Sequence, residues 1–145
     1  MIMAECIYLA GKVTRLSLPV FEDARAGEAL TLKRLLLPQG ELAQFYDDDE
    51  PIRYLAFLEL RAGGVRANHY HKIKRELIYL IAGELLLIVE DIGSRERVSL
   101  TLRPGDLAAI QPGIAHALQT TVPGQAIEFS RTRFERADIH RFPLV

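Results

Sequence analysis

From residue 52 onward the chain is cut into short strand-like runs by turn residues, and this punctuation limits the fold more than any other feature. Ile52–Leu60 (IRYLAFLEL) is rich in aromatic and branched residues and stops at Ala62-Gly63-Gly64. Val65–His71 follows, then Glu76–Ile81, ended by Ala82-Gly83, and Glu84–Glu90, ended by Asp91-Ile92-Gly93-Ser94. Arg97–Leu102 alternates cleanly up to the turn Arg103-Pro104-Gly105-Asp106. Leu107–Ile110, Ala115–Val122 and Gln125–Phe134 complete the series, separated by Pro112-Gly113 and Pro123-Gly124. Glycine and proline set backbone angles that end regular strands. Short strands at intervals of about 8–12 residues, with a turn at each break, predict an all-β sandwich or barrel. No helix-period apolar run is long enough for a βαβ crossover.

The upstream third reads as an arm. Ile7-Tyr8-Leu9 and Val13–Leu18 alternate, with Leu16 and Leu18 on one face and Arg15 and Ser17 on the other, until Pro19. Residues 22–28 are polar and fit a short helical turn. Leu30–Leu37 reads as a strand stopped by Pro38-Gln39-Gly40, and residues 41–46 as a short strand or a turn of helix. The run Asp47-Asp48-Asp49-Glu50 before Pro51 lacks calcium-loop spacing and reads as a solvated loop. There is no repeat, low-complexity segment or linker. The 145 residues suit one domain, 1–145, with a barrel core at about 52–131 and an N-terminal arm over 1–38. An open barrel leaves a sheet edge, so the arm is expected to pair with or cover an edge in a homodimer.

Composition removes several function classes. The net charge of −1 comes from interspersed acids and bases, which leaves no nucleic-acid footprint. No apolar run approaches the roughly 20 residues of a membrane-spanning helix. The N-terminal MIMAECIYLAGK lacks a basic region before its apolar stretch, unlike a secretory signal. The single cysteine, Cys6, cannot form an intrachain disulfide and reads as a small apolar residue. The expectation is a cytoplasmic protein acting on a small-molecule substrate or ligand.

The chemistry concentrates between Gly63 and Gly83. His69 and His71 are two residues apart, so on a strand both imidazoles share a face. Lys72–Arg75 is polar enough to turn a corner and bring Glu76 back on the neighbouring strand. Two imidazoles and a carboxylate converging in this way can hold three positions of a divalent metal. The chain has four histidines, His69, His71, His116 and His140, and three lie at strand ends beside Gly/Pro turns. Three imidazoles with Glu76 form a set of borderline hardness suited to Zn, Fe, Mn, Ni, Cu or Co.

These residues also carry a family resemblance. Gly63-x₅-His69-x-His71-x₄-Glu76-x₆-Gly83 resembles the first motif of the cupins, and Gly105-x₅-Gln111-x-Gly113-x₂-His116-x₃-Thr120 resembles the second. Gln111 stands where the family usually has proline, with Pro112 next to it, and Thr120 stands where asparagine is common. The resemblance implies a double-stranded β-helix, a jelly-roll barrel, with a metal inside. Its implied ligands are His69, His71, Glu76 and His116; His140 matches no motif position and is expected at the surface or terminus. Arg66-Ala67-Asn68-His69-Tyr70-His71, with Gly40-Glu41-Leu42 upstream, is similar to cupins of nucleotide-sugar metabolism. Sugar epimerases and ketoisomerases of the same barrel work without metal, through a histidine and a tyrosine, whereas this chain keeps the full ligand set.

The expected function is a divalent-metal cupin with isomerase or epimerase chemistry on a sugar or other carbonyl substrate. A ligand-sensing module and a dioxygenase are the alternatives. No general base is assigned. Tyr70 alternates away from the histidines, Tyr54, Tyr79 and Gln119 are cavity candidates, and Arg61 or Arg66 is placed to meet an anionic group.

Overall fold

The computed structural model describes residues 4–145. The first three residues of the expected arm lie outside the described residues. Among the described residues, twelve strands form a nine-stranded sheet and a three-stranded sheet. The arm supplies β1 (Ala4–Tyr8), β2 (Val13–Ser17), β3 (Val20–Phe21) and β4 (Lys33–Leu37), and β5 (Gly40–Gln44) follows it. The barrel is built from β6 (Tyr54–Leu60), β7 (Val65–Tyr70), β8 (Glu76–Asp91), β9 (Arg97–Leu102), β10 (Asp106–Ile110) and β11 (Ile114–Ser130). A short β12 (His140–Arg141) closes the chain. The architecture is an all-β jelly roll.

Two of the expected turns are absent. β8 runs through Ala82-Gly83 and β11 through Pro123-Gly124, giving strands of 16 and 17 residues. Their pairing shifts register between Val122 and Gln125, opposite Glu84 and Ala82. A Cβ on Gly124 would lie 1.8 Å from the Ala82 carbonyl oxygen, and one on Gly83 would lie 2.5 Å from that of Val122. Glycine here lets two backbones touch as the strands bend together, so the chain curves where a turn was expected. Residues 22–28 hold turns and bends with no helix.

The first half of β8 explains why ELIYLI is apolar at nearly every position. Ile78 and Leu80 face the barrel interior with Leu58, Leu60, Leu87 and Val89. Leu77 and Tyr79 face outward, where they pack with Phe129, Leu18 and Phe45 beneath the three-stranded sheet. Phe45 stacks on Tyr79 with ring centroids 4.0 Å apart and planes 2° from parallel. Both faces are buried, so polar alternation disappears.

The arm's first job is within its own chain. β2 pairs antiparallel with β10 along its whole length, Val13 opposite Ile110 and Ser17 opposite Asp106, and β1 folds back on β2. β10 in turn pairs with β8, placing Ile110 opposite Glu76.

Candidate functional site

His69 sits on β7, His71 just beyond it, Glu76 at the first position of β8 and His116 on β11. One ligand atom from each lies within 4.8 Å of all the others. All four sequence-predicted positions therefore meet in one place inside the barrel. His140 does not join them; it lies on β12 and stacks on Tyr70, ring centroids 5.0 Å apart.

Local backbone explains how β7 delivers His69. Ala67 and Asn68 both have positive φ, 71° and 56°. The pairing of β11 with β7 jumps from His116 opposite His69 to Ala117 opposite Ala67, so Asn68 is an extra residue in a bulge. Bulges re-aim side chains, and the left-handed conformation at Ala67 costs about 1–2 kcal/mol. Asn68 tolerates that region better and is anchored: its Oδ1 accepts from the Leu144 N–H at 2.9 Å.

The ring nitrogens are pre-set. His71 Nδ1 lies 2.9 Å from the Asp138 carbonyl oxygen, and His116 Nδ1 lies 3.1 Å from that of Ile114. A carbonyl only accepts, so Nδ1 carries a proton and, in the neutral ring, the Nε2 lone pair is the one offered to a ligand. Both Nε2 atoms are buried and make no directed hydrogen bond. They approach Glu76 instead, His116 Nε2 to 2.9 Å from Oε2 and His71 Nε2 to 3.6 Å from Oε1. Buried polar atoms left without partners are costly, and a cation between these atoms would satisfy them. The donor set fits a divalent transition metal held by His69, His71, Glu76 and His116.

Electrostatics agree with this use. Burial pushes the His69 imidazole down to about 4, helped by the neighbouring His116 and His71, so it is neutral at neutral pH. Burial alone would raise the Glu76 carboxyl, but the charges of His116 and Lys74 and the polar contacts with both histidines hold it well below the usual carboxylate range. His116 is pushed up despite its burial because Glu76 is beside it.

Three neighbours escaped the sequence reading. Lys74 is buried, with Nζ 3.4 Å from Glu76 Oε1, 3.1 Å from Glu128 Oε1 and 4.3 Å from the Tyr54 ring centre. Burial and the Glu76 charge push the Glu128 carboxyl up to about 7, outweighing Lys74. Its side chain keeps 17% exposure, whereas that of Glu76 keeps 4%. Glu128 had only a faint signal in the sequence, an acid alternating with the small residues Ala126 and Ser130, which the structure shows fully buried. Asp138 had none. Its carboxylate accepts hydrogen bonds from the backbone N–H groups of Lys72, Ile73 and Lys74, the segment joining His71 to Glu76.

Of the other candidates, Tyr54 lies beside Lys74 and Glu128. Tyr79 faces the outer layer against Phe45. Gln119 pairs with Leu86 on the face opposite Leu118, whose side chain is in the barrel core. Tyr70 packs on His140 and Phe142. Arg61 and Arg66 line a cleft of about 390 Å³ with Glu59, Gly64 and Val65.

Residues 56–129 match the cupin domain family. Solved structures that share the fold include the following three. A dTDP-4-dehydrorhamnose 3,5-epimerase from Sulfolobus tokodaii superposes with a TM-score of 0.74 at 17% identity, covering 98% of this chain and 82% of that one. A sugar 3,4-ketoisomerase from Thermoanaerobacterium thermosaccharolyticum, solved with TDP, gives 0.70 at 13% identity, covering 92% and 90%. A 3,4-ketoisomerase from Helicobacter canadensis gives 0.67 at 14% identity, covering 77% and 87%. No curated protein matches the sequence.

Proposed function

The chain belongs to the cupin family, and from that premise we propose that it is a metal-dependent enzyme that moves a proton beside a carbonyl, as in isomerisation or epimerisation of a keto sugar. The observation that carries the metal half is the convergence of His69, His71, Glu76 and His116, one ligand atom from each within 4.8 Å of all the others, with the buried Nε2 atoms of His71 and His116 turned toward the Glu76 carboxylate. His69, His71, Glu76 and His116 would hold the ion. When bound, a divalent metal supplies Lewis acidity that polarises a carbonyl and acidifies the adjacent C–H.

The chain's own residues supply the rest. Glu128 is the proton carrier: in the carboxylate form it accepts a proton from the carbon next to the carbonyl, whose C–H electron pair moves toward the carbonyl oxygen. Returning that proton to the former carbonyl carbon, while the hydroxyl on the carbon that lost it passes its own proton to the former carbonyl oxygen, shifts the C=O by one carbon and isomerises the substrate; re-protonation of the original carbon from its other face epimerises it. Neither route needs an oxidant. Lys74 stays protonated against Glu76 and Glu128 and offsets part of the repulsion between the two carboxyl groups. A group poised near neutral pH suits acid–base work, and Glu128 is the more exposed carboxyl of the pair. A keto sugar as substrate is supported by the fold shared with the epimerase and ketoisomerases named above.

Two measurements test this in sequence. Elemental analysis of untagged protein should give about one transition-metal ion per chain, lost in the His69→Ala, His71→Ala double variant. Metal-loaded protein mixed with a 4-keto sugar nucleotide in D₂O should then place deuterium beside the carbonyl, read by NMR. Absence of metal, with none taken up on titration, would sink the metal half. Metal without exchange on any keto sugar would sink the catalytic half and leave a sensing or oxygen-using role.

The same reading takes the protein as a homodimer. β1 has no strand partner on its outer edge among the described residues. Leu55 and Phe57 on β6 are 67% and 63% exposed. Light scattering at micromolar concentration should give the dimer mass, and a monomer would remove this part of the proposal.

A further inference from the structure

The segment after the barrel, residues 136–145, touches the candidate ligand region at the bulge before His69 and along the loop after His71. β12 pairs with the end of β7, Arg141 opposite His69 and His140 opposite Tyr70. The Phe142 N–H donates to the Asn68 carbonyl at 2.8 Å, inside the bulge that aims His69. The Asp138 carbonyl accepts from His71 Nδ1. The Asp138 carboxylate, itself buried, takes the N–H groups of Lys72, Ile73 and Lys74 at 2.8, 3.2 and 3.0 Å.

We infer that this C-terminal strap is the organiser of the ligand set, and that Asp138 is its positioning residue: it fixes the loop between His71 and Glu76 and, through its own carbonyl, the tautomer of His71. The inference rests on the metal reading of the site. Its physical basis is general. Partners outside the ligand shell orient the ligands, and losing one typically costs about 10–100-fold in metal affinity. Three N–H groups converging on one carboxylate form a rigid loop anchor, because each charge-assisted bond is stronger than its neutral counterpart. Without the anchor, the loop of residues 72–75 has no other side chain accepting its N–H groups among the described residues.

The test compares Asp138→Ala and Asp138→Asn with a matched control. Asp106→Ala removes a different buried carboxylate, which accepts from the Arg103 N–H and Ser17 Oγ at the far end of β10. Cobalt(II) titration followed by visible absorption reads affinity and coordination. Nitrogen-15 shifts of the metal-free protein read the His71 tautomer. Asp138→Ala should weaken cobalt binding by about 10–100-fold and mix the His71 tautomers. Asp138→Asn, which keeps one acceptor oxygen, should fall in between. Asp106→Ala should lower the melting temperature while leaving affinity and tautomer as in the wild type. Wild-type protein that binds no cobalt would defeat the metal reading, and the tautomer would still judge Asp138. Unchanged affinity and tautomer in folded Asp138→Ala would overturn the inference, as would equal losses in Asp106→Ala.

Discussion

Lys74 Nζ lies 3.1 Å from Glu128 Oε1 and 3.4 Å from Glu76 Oε1, so one buried ammonium is shared by two carboxyl groups. Two negative charges and one positive charge leave an excess that burial makes costly. The more exposed carboxyl, Glu128, takes up the imbalance and is pushed up to about 7.

That assignment gives a signed pH dependence. The ordinary value is 4.5, so between there and about 7 the folded protein keeps a proton that the unfolded chain releases. The contribution is fully present below 4.5 and is lost as pH rises through about 7. Glutamine cannot titrate. In metal-free protein, the melting temperature of Glu128→Gln minus that of wild type should therefore rise between about pH 5 and about pH 8. A difference that stays flat over this range would contradict the assignment.

His116 and Glu76 are both buried, with His116 Nε2 2.9 Å from Glu76 Oε2. His116→Ala removes a proposed ligand and also strips Glu76 of its main compensating charge. Breaking a buried pair from one side costs about 3–5 kcal/mol. Urea denaturation of the metal-free variant should show a loss of that order, together with loss of stoichiometric metal. A variant as stable as wild type would mean that Glu76 is not held as a carboxylate.

Three of the candidate ligand positions, His69, His71 and Glu76, are legible in the sequence because their geometry is local, alternation followed by a polar corner, whereas His116 is reached through the resemblance of its motif. The barrel is legible for the same reason, through its turn punctuation. The supporting residues are not. Asp138 acts on backbone 64–66 residues away in the chain, and Glu128 reaches Lys74 across a separation of 54. Such contacts are set by how the strands cross and where the tail returns, and nearby sequence carries neither. The continuity of β8 and β11 through Gly83 and Gly124 is hidden likewise, since glycine reads the same at a turn and at a close backbone approach.

Gly124 tests that last point. A Cβ there would sit 1.8 Å from the Ala82 carbonyl oxygen and 2.6 Å from the Gly83 nitrogen, both backbone atoms that cannot swing aside. Overpacking typically costs about 1–3 kcal/mol and more where the neighbour cannot yield. Gly124→Ala should reach at least the upper end, read by urea denaturation. A loss under about 1 kcal/mol would show that the two strands do not cross this closely.

Phe45 and Glu76 lie on opposite sides of the sheet, because Tyr79, which stacks on Phe45, and Glu76 point to opposite faces of β8. Phe45→Ala should cost roughly 1.5–3 kcal/mol by exposing the outer layer. Its metal affinity should match wild type in calorimetric titration. A large affinity loss would mean that the outer layer, and not the strap, sets the ligand geometry.

Metal and protons compete for the same nitrogens, and the ligands do not contribute equally to that competition. His69 has an ordinary value of 6.5 and is brought down to about 4, so it is already neutral when metal arrives at neutral pH. His116 is pushed up from 6.5 by Glu76 despite its burial. Metal must therefore displace a proton from His116 before it displaces one from His69. Affinity should begin to fall with acidification while the pH is still above 6.5, and metal binding near that pH should release a proton from His116. Calorimetric titrations in buffers of different ionisation enthalpy count that proton. Binding that releases no proton at pH 6.5 and weakens only near pH 4, where His69 titrates, would show that Glu76 does not raise His116.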